Sequence, residues 1–315
     1  MRPALLVFSY GAAVAWVLPL PLRRLSEPGL SPRLGLAAWL TAMASVLACA
    51  TAALGLLAEA AIAGWPEFAR TFCESVSAGT CPPAVYRSTG YELGLAAAAF
   101  LGGIALIVLG WRYGRSLHRA GIRTRAHAEA ARITGHRVDG ESAAFVLDAA
   151  RPAAYCVPGR PPAIVLTTGA LAVLDPGQLA AVLAHERAHL AGRHHLLLAV
   201  TRSLAAVAPA VPLFARGSGE VARLAEMRAD DVAARRGGRC TLLAALLAMG
   251  AGAAAAPAPA TWLAATGGVA AARVRRLADP PPPARRVCHG LALAALTLAM
   301  AAASTLVPLL AVTRT

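Results

Sequence analysis

The chain contains no lysine, and all 30 of its basic side chains are arginine. Charge of either sign is scarce: 15% of the 315 residues are charged, against 57% hydrophobic, and the mean hydropathy is +0.58. That deficit excludes an ordinary soluble globular protein and fits a chain that crosses a membrane several times. No Cys-x-x-Cys pair or Cys/His cluster is present, so the cysteines suggest no further zinc site. No DNA- or RNA-binding motif accompanies the net charge of +14. The arginine excess therefore reads as membrane orientation, and direct nucleic-acid binding is not expected. The first apolar segment also lacks a good cleavage site, because Pro-Leu-Pro-Leu-Arg-Arg follows it. It is expected to stay as a helix rather than leave as a signal peptide.

Four apolar segments, 3–20, 34–65, 93–111 and 287–312, approach or exceed the roughly 20 residues that span a bilayer. The loop after the first carries Arg23, Arg24 and Arg33, and the third is followed by Arg112, Arg115, Arg119, Arg123 and Arg125. Arg273, Arg275, Arg276, Arg285 and Arg286 precede the last, whereas the other side has only Arg2, Arg70, Arg87 and Arg314. The positive-inside rule then places both termini outside and residues 112–286 in the cytoplasm of a multi-pass plasma-membrane protein. Cys73 and Cys81 flank a short outer loop, where a disulfide can persist, and a bridge between them is expected. The chain divides into a membrane region with three transmembrane helices (1–111), a cytoplasmic domain (112–286), and a fourth span with a short outer tail (287–315).

Within the cytoplasmic region, 112–137 is basic and helical in pattern. Short β-rich runs at 143–148, 153–157 and 163–168, punctuated by Gly and Pro, predict a small antiparallel sheet. Asp175-Pro176-Gly177-Gln178 then offers an N-cap, a first-turn proline and a capping box. The helix it opens should run to about Gly192 and carries His185-Glu186-Arg187-Ala188-His189. Residues four apart share a helix face, so His185 and His189 can grip one Zn²⁺ while Glu186 takes a proton from water beside it. The alternative is a helix presenting two histidines and a glutamate to solvent.

A catalytic zinc site usually has three protein ligands and an open position. The downstream acids are Glu220, Glu226, Asp230, Asp231 and Asp279. Glu226 and Asp230 stand one turn apart on a helix that Ser218 could cap and Gly237-Gly238 could end. Glu226 could bind metal while Asp230 accepts a hydrogen bond from a ligand histidine, or both could face solvent; spacing alone leaves both open. Residues 195–215 are apolar enough to be mistaken for a span, but one crossing would put Glu226 about 30 Å from the histidines. Arg202, Pro209 and Pro212 argue for a hairpin that is buried, surface-lying or re-entrant.

His185-Glu-Arg-Ala-His189, Gly192-Arg-His-His195, Glu226-Met-Arg-Ala-Asp230 and Tyr155-Cys-Val-Pro-Gly-Arg-Pro-Pro-Ala-Ile-Val-Leu-Thr-Thr-Gly-Ala170 together resemble membrane metallopeptidases of the BlaR and MecR type. HtpX-type peptidases share the histidine pair and the later Glu-x-x-x-Asp. The resemblance covers most of the chain. It implies an α-helical membrane protein of about four transmembrane helices with a cytoplasmic α+β zincin-like (gluzincin) domain. It also implies one Zn²⁺ per chain held by His185, His189 and Glu226, with Glu186 as general base and Asp230 behind the ligands. BlaR and MecR systems cleave a winged-helix repressor, so a protein substrate of that kind is expected. Those sensors carry a penicillin-binding domain after the last span, whereas this sequence stops at Thr315, so β-lactam sensing is not expected of it.

The expected reaction is metal-assisted peptide hydrolysis, with a substrate strand pairing along the strand at 163–168. For an oxyanion partner the candidates are His194, His195 and the group Arg273–Arg276, set against plainer readings as interfacial residues and a topology signal. The rivals are an intramembrane protease, disfavoured by Arg187, Arg193, His194 and His195 around the motif; a non-catalytic receptor or scaffold that has kept a metal site; and a quality-control peptidase of HtpX type. Residues 250–259 read as a flexible connector and 280–283 as a stiff spacer into the last span.

Overall fold

A computed structural model describes residues 2–78, 83–138, 141–157, 159, 161–255 and 260–313. The chain opens with α1 (Arg2–Trp16) and α2 (Pro19–Ser26), which meet at a 44° bend. The expected first span thus falls across a break. Pro19 and Pro21 cause it, because a proline disfavours helix in the residue before it and cannot donate to the turn behind it. Then come the long helices α3 (Pro32–Ala78) and α4 (Pro83–Thr134), packed on each other. Among the described residues, three helical stretches are long and apolar enough to cross a membrane: Pro32–Trp65, Gly90–Thr134 and Pro283–Leu310; the bent pair makes a fourth if taken as one span. Cys81 lies outside the described residues, and the expected bridge to Cys73 with it.

α4 runs unbroken from its apolar half into the basic stretch and ends at the sheet. The strands are β1 (His136–Val138), β2 (Glu141–Leu147), β3 (Ala154–Val157) and β4 (Ala163–Thr167), in the order β1-β2-β4-β3. The sheet is mixed rather than antiparallel: β2 and β4 run parallel, with Ala144 opposite Ile164, whereas the β1–β2 and β3–β4 pairs are antiparallel. The chain after β2 crosses to the far side of β4 before forming β3. Thr167 anchors that crossing, its hydroxyl accepting from Ala153 N (2.9 Å) and donating to Arg151 O (2.8 Å). Every residue of β4 is buried, as its near-continuous apolar sequence requires of an interior strand. The exposed edge on the side of the histidine helix is therefore β3.

Then come the helices α5 (Thr168–Val173), α6 (Pro176–Ala191), α7 (His194–Val207), α8 (Pro212–Gly237), α9 (Arg239–Ala255), α10 (Ala260–Ala278) and α11 (Pro283–Thr313). α6 packs on the sheet through Val182 and Leu183 against Ile164 and Leu166. α7 and α8 form the expected hairpin, which turns the chain back toward α6. α8 starts at Pro212, not at Ser218, which sits inside the helix and donates to Ala215 O. Proline at the first position pre-sets the helical φ, so no side-chain cap is needed there. Gly238, at φ +85°, ends it. The expected connector at 250–259 is helical as far as Ala255, and 256–259 lie outside the described residues.

The main core joins the long helices to the α7–α8 hairpin. Trp39 of α3 is fully buried and donates its indole N–H to Ser26 Oγ at 3.1 Å. It packs in one cluster with Leu213, Phe214, Val221 and Leu224 of α8. A Cβ on Gly217 would meet Met43 Cε at 2.2 Å and Trp39 Cε3 at 3.0 Å, so α8 approaches α3 as closely as glycine permits.

Candidate functional site

The capping box at the start of α6 forms as its sequence predicts: Gln178 N donates to Asp175 Oδ1 (2.8 Å) and Asp175 N to Gln178 Oε1 (3.2 Å). This fixes the phase of the helix, and one face then carries His185, Glu186 and His189, all buried. The helix stops at Gly192. Arg193 adopts the left-handed region (φ 49°), which folds α7 sharply back. That turn brings His194 onto the ligand pair, its Nδ1 2.9 Å from Nδ1 of His189. Gly192 leaves the room for this: a Cβ there would lie 2.5 Å from His194 Nε2.

α8 supplies the acids. Glu226 Oε2 lies 3.4 Å from His185 Nε2, Glu226 Oε1 lies 3.4 Å from His189 Nε2, and the two imidazole Nε2 atoms are 3.1 Å apart. Asp230, fully buried one turn on, places Oδ1 3.1 Å from His185 Nδ1. The hairpin reading of 195–215 is therefore met, and Glu226 and Asp230 share the site. Glu220 and Asp231 lie elsewhere, paired with Arg223 and Arg276.

A further participant comes from the arginine group before the last span. Arg273 of α10 donates through Nε and Nη2 to the two carboxylate oxygens of Asp230 (2.8 and 2.7 Å), and its Nη1 lies 3.0 Å from Glu226 Oε2. Arg276 is also buried, donating to Gly29 O, Met227 O and Asp231. Two of the arginines read as a topology signal are thus structural members of the domain. The only sequence sign of this was their helical spacing, which does not say where α10 docks. Of the other oxyanion candidates, His194 is buried against His189, and His195 opens onto a different cavity.

The electrostatics follow from this packing. Burial works against charge on Glu226, but hydrogen bonds from His185 and His189, with Arg273 beside it, hold its carboxyl far below the usual range. Asp230 is held low, also against burial, by His185 and Arg273. Burial would lower His185, yet its contacts with Asp230 and Glu226 outweigh burial and raise it to about 9. Burial pushes Glu186 up, only partly offset by the two histidines. His194 falls to about 4 through burial and the neighbouring His189 and Arg228, so a neutral imidazole stands against His189 Nδ1.

Donor atoms of His185, His189 and Glu226 all lie within 4.8 Å of one another, and they could hold a metal ion. Their separations of 3.1, 3.4 and 3.4 Å suit a tetrahedral ion. Ligands about 2.1 Å from zinc stand about 3.4 Å apart. The residues present therefore fit zinc. A cleft of about 380 Å³ opens on this group, walled by Tyr155 and Cys156 of β3, Glu186, Leu198, Leu246, Met249 and Arg273. Cys156 is pushed up to about 12 by burial and by Glu186, so its thiol stays neutral beside the site.

Residues 123–212 match the family model described as Peptidase family M48. The match supports a metallopeptidase; it contains both histidines and Glu186 and ends before Glu226, Asp230 and Arg273. No curated protein and no solved structure matches the chain.

Proposed function

We propose that this chain is a membrane-bound zinc metalloendopeptidase in which His185, His189 and Glu226 hold the metal and Glu186 is the general base. The observation that supports it best is the convergence of two imidazole nitrogens and one carboxylate, from helices joined by a hairpin, at separations that suit zinc. Zinc held there would supply a Lewis acid, lowering the pKa of its water toward about 7 and polarising a carbonyl. Glu186 takes the water's proton and delivers it to the leaving amine, and its raised pKa brings it closer to the working pH. Asp230 fixes the orientation of His185, and His194 that of His189. Arg273 keeps both acids ionised and in place.

The substrate strand belongs along β3 rather than along 163–168, because β4 is interior and β3 is the edge that walls the cleft. Three helical stretches able to cross a membrane, and arginines gathered beside them, support a cytoplasmic active site. A regulatory protein of the repressor type is the proposed substrate, and broad cleavage of misfolded membrane proteins would favour the quality-control reading.

The test is zinc content and peptidase activity of the detergent-solubilised full chain beside Glu186→Gln and Glu226→Ala. Wild type should carry about one zinc and cleave, Glu186→Gln should bind without cleaving, and Glu226→Ala should lose metal. Zinc retained by Glu226→Ala would remove it from the ligand set, and a wild type without zinc would leave only a scaffold.

A further inference from the structure

A larger cavity of about 1080 Å³ lies between α4 and α7, outside the metal cleft. Arg112, Arg115, Arg119 and Arg123 line it from α4, and Arg202 and His195 from α7. The four on α4 recur every three or four residues, which sets them along one helix face. Among the described residues, no acidic side chain lines the cavity and none of the five arginines has an acidic partner. The far end meets the catalytic cleft: Tyr155, Cys156 and Leu198 line both. The result is a cationic trough leading to the edge strand on which a substrate would lie.

We propose that this trough binds an acidic segment of the polypeptide substrate next to the scissile bond and so selects which proteins are cut. The inference rests on the peptidase reading above. Anionic lipid headgroups share the attraction to guanidinium, but the spacing favours a polypeptide. Trp111 closes the apolar run of α4, and a headgroup layer extends only about 5–8 Å beyond the hydrocarbon. Arg119 and Arg123 lie about 12 and 18 Å further along the axis. From Arg112 to Arg123 the trough is about 16 Å long, the reach of about five extended residues. The probe chemistry is therefore a run of about five carboxylates flanking a cleavable sequence.

The experiment uses the full chain in phosphatidylcholine nanodiscs, with binding read in the Glu186→Gln form and cleavage in the Glu186 form. Two fluorescent peptides differ only in a run of five Glu or five Gln. The Glu peptide should bind at least about tenfold tighter, and the preference should vanish in Arg119→Gln/Arg123→Gln/Arg202→Gln and at about 0.5 M salt. Zinc content of the triple variant shows that the neighbouring site is intact. Equal binding of the two peptides, or a preference that survives in the triple variant, overturns the proposal. So does a triple variant that, in nanodiscs containing phosphatidylglycerol, loses only its retention of that lipid, which would make the trough a lipid site. Arginine-dependent binding without any cleavage leaves the trough standing and sinks the peptidase reading. Cleavage without acid preference does the reverse.

Discussion

Asp230 and His185 face each other across the α6–α8 interface, with Oδ1 3.1 Å from Nδ1, and Asp230 is the more deeply buried of the two. The contact directs His185 Nε2 toward His189 and Glu226. Removing the charge while keeping the shape isolates this role. Asp230→Asn should weaken zinc binding about 10- to 100-fold, read by competition with a chelator. Unchanged affinity would show that the imidazole needs no such partner. A loss in stability is also expected, because Arg273 would lose one of its two ionic partners and keep only Glu226.

Gly192 is required for its lack of a side chain rather than for an unusual backbone angle, since its φ is −77°. Gly192→Ala should press on the His194 ring and lower kcat/KM about tenfold or more, with the protein still folded. His194→Ala should lower it as well. The double variant should be no worse than His194→Ala alone, because the clash has gone. Additive losses in a double-mutant cycle would place the defect elsewhere.

The metal-free protein should have a pH dependence that zinc removes. His185 is raised from 6.5 to about 9, so the stability from its protonated contacts is fully present below about 6.5. It is lost as pH rises through about 9. The melting temperature of metal-free protein should therefore fall between pH 6.5 and 9.5, a range in which Glu226 and Asp230, held low, stay ionised. Zinc uptake at pH 7.5 should release a proton from His185, visible as a binding enthalpy that varies with the buffer. An enthalpy independent of buffer would contradict the raised value.

Gly217 tests the seam between α8 and α3. Gly217→Val must displace Met43 and the Trp39 ring, and should cost about 1–3 kcal/mol in thermal or denaturant unfolding. Activity should fall with it, since Glu226 lies two and a half turns further along the same helix. Full stability in the variant would mean that the two helices separate freely.

The catalytic helix was legible in the sequence because each of its signals is local. Asp175 and Gln178 define its start, Gly192 its end, and the spacing of His185 and His189 its working face. Glu226 and Asp230 could be paired for the same reason, and Pro209 and Pro212 marked the hairpin that brings them home. What escaped depends on contacts distant in sequence. The parallel pairing of β2 with β4, which makes β4 interior and β3 the edge, is set by a crossing that no periodicity records. The docking of Arg273 depends on where α10 lies against α8. The break between α1 and α2 is different: Pro19 and Pro21 announced it, and hydropathy masked it.

One consequence of α8 bears on how the protein can be handled. The same rigid helix presents Val221 and Leu224 to the Trp39 cluster and Glu226 and Asp230 to the histidines. A recombinant fragment covering only 112–286 would strip away α1, α2, α3 and α11 and leave Leu213, Phe214, Val221 and Leu224, now at most 4% accessible, bare to water. Such an excised domain would be sticky, and its third metal ligand would sit on an unsupported rod. The catalytic half cannot be crystallised or assayed as a free-standing enzyme without redesigning that face.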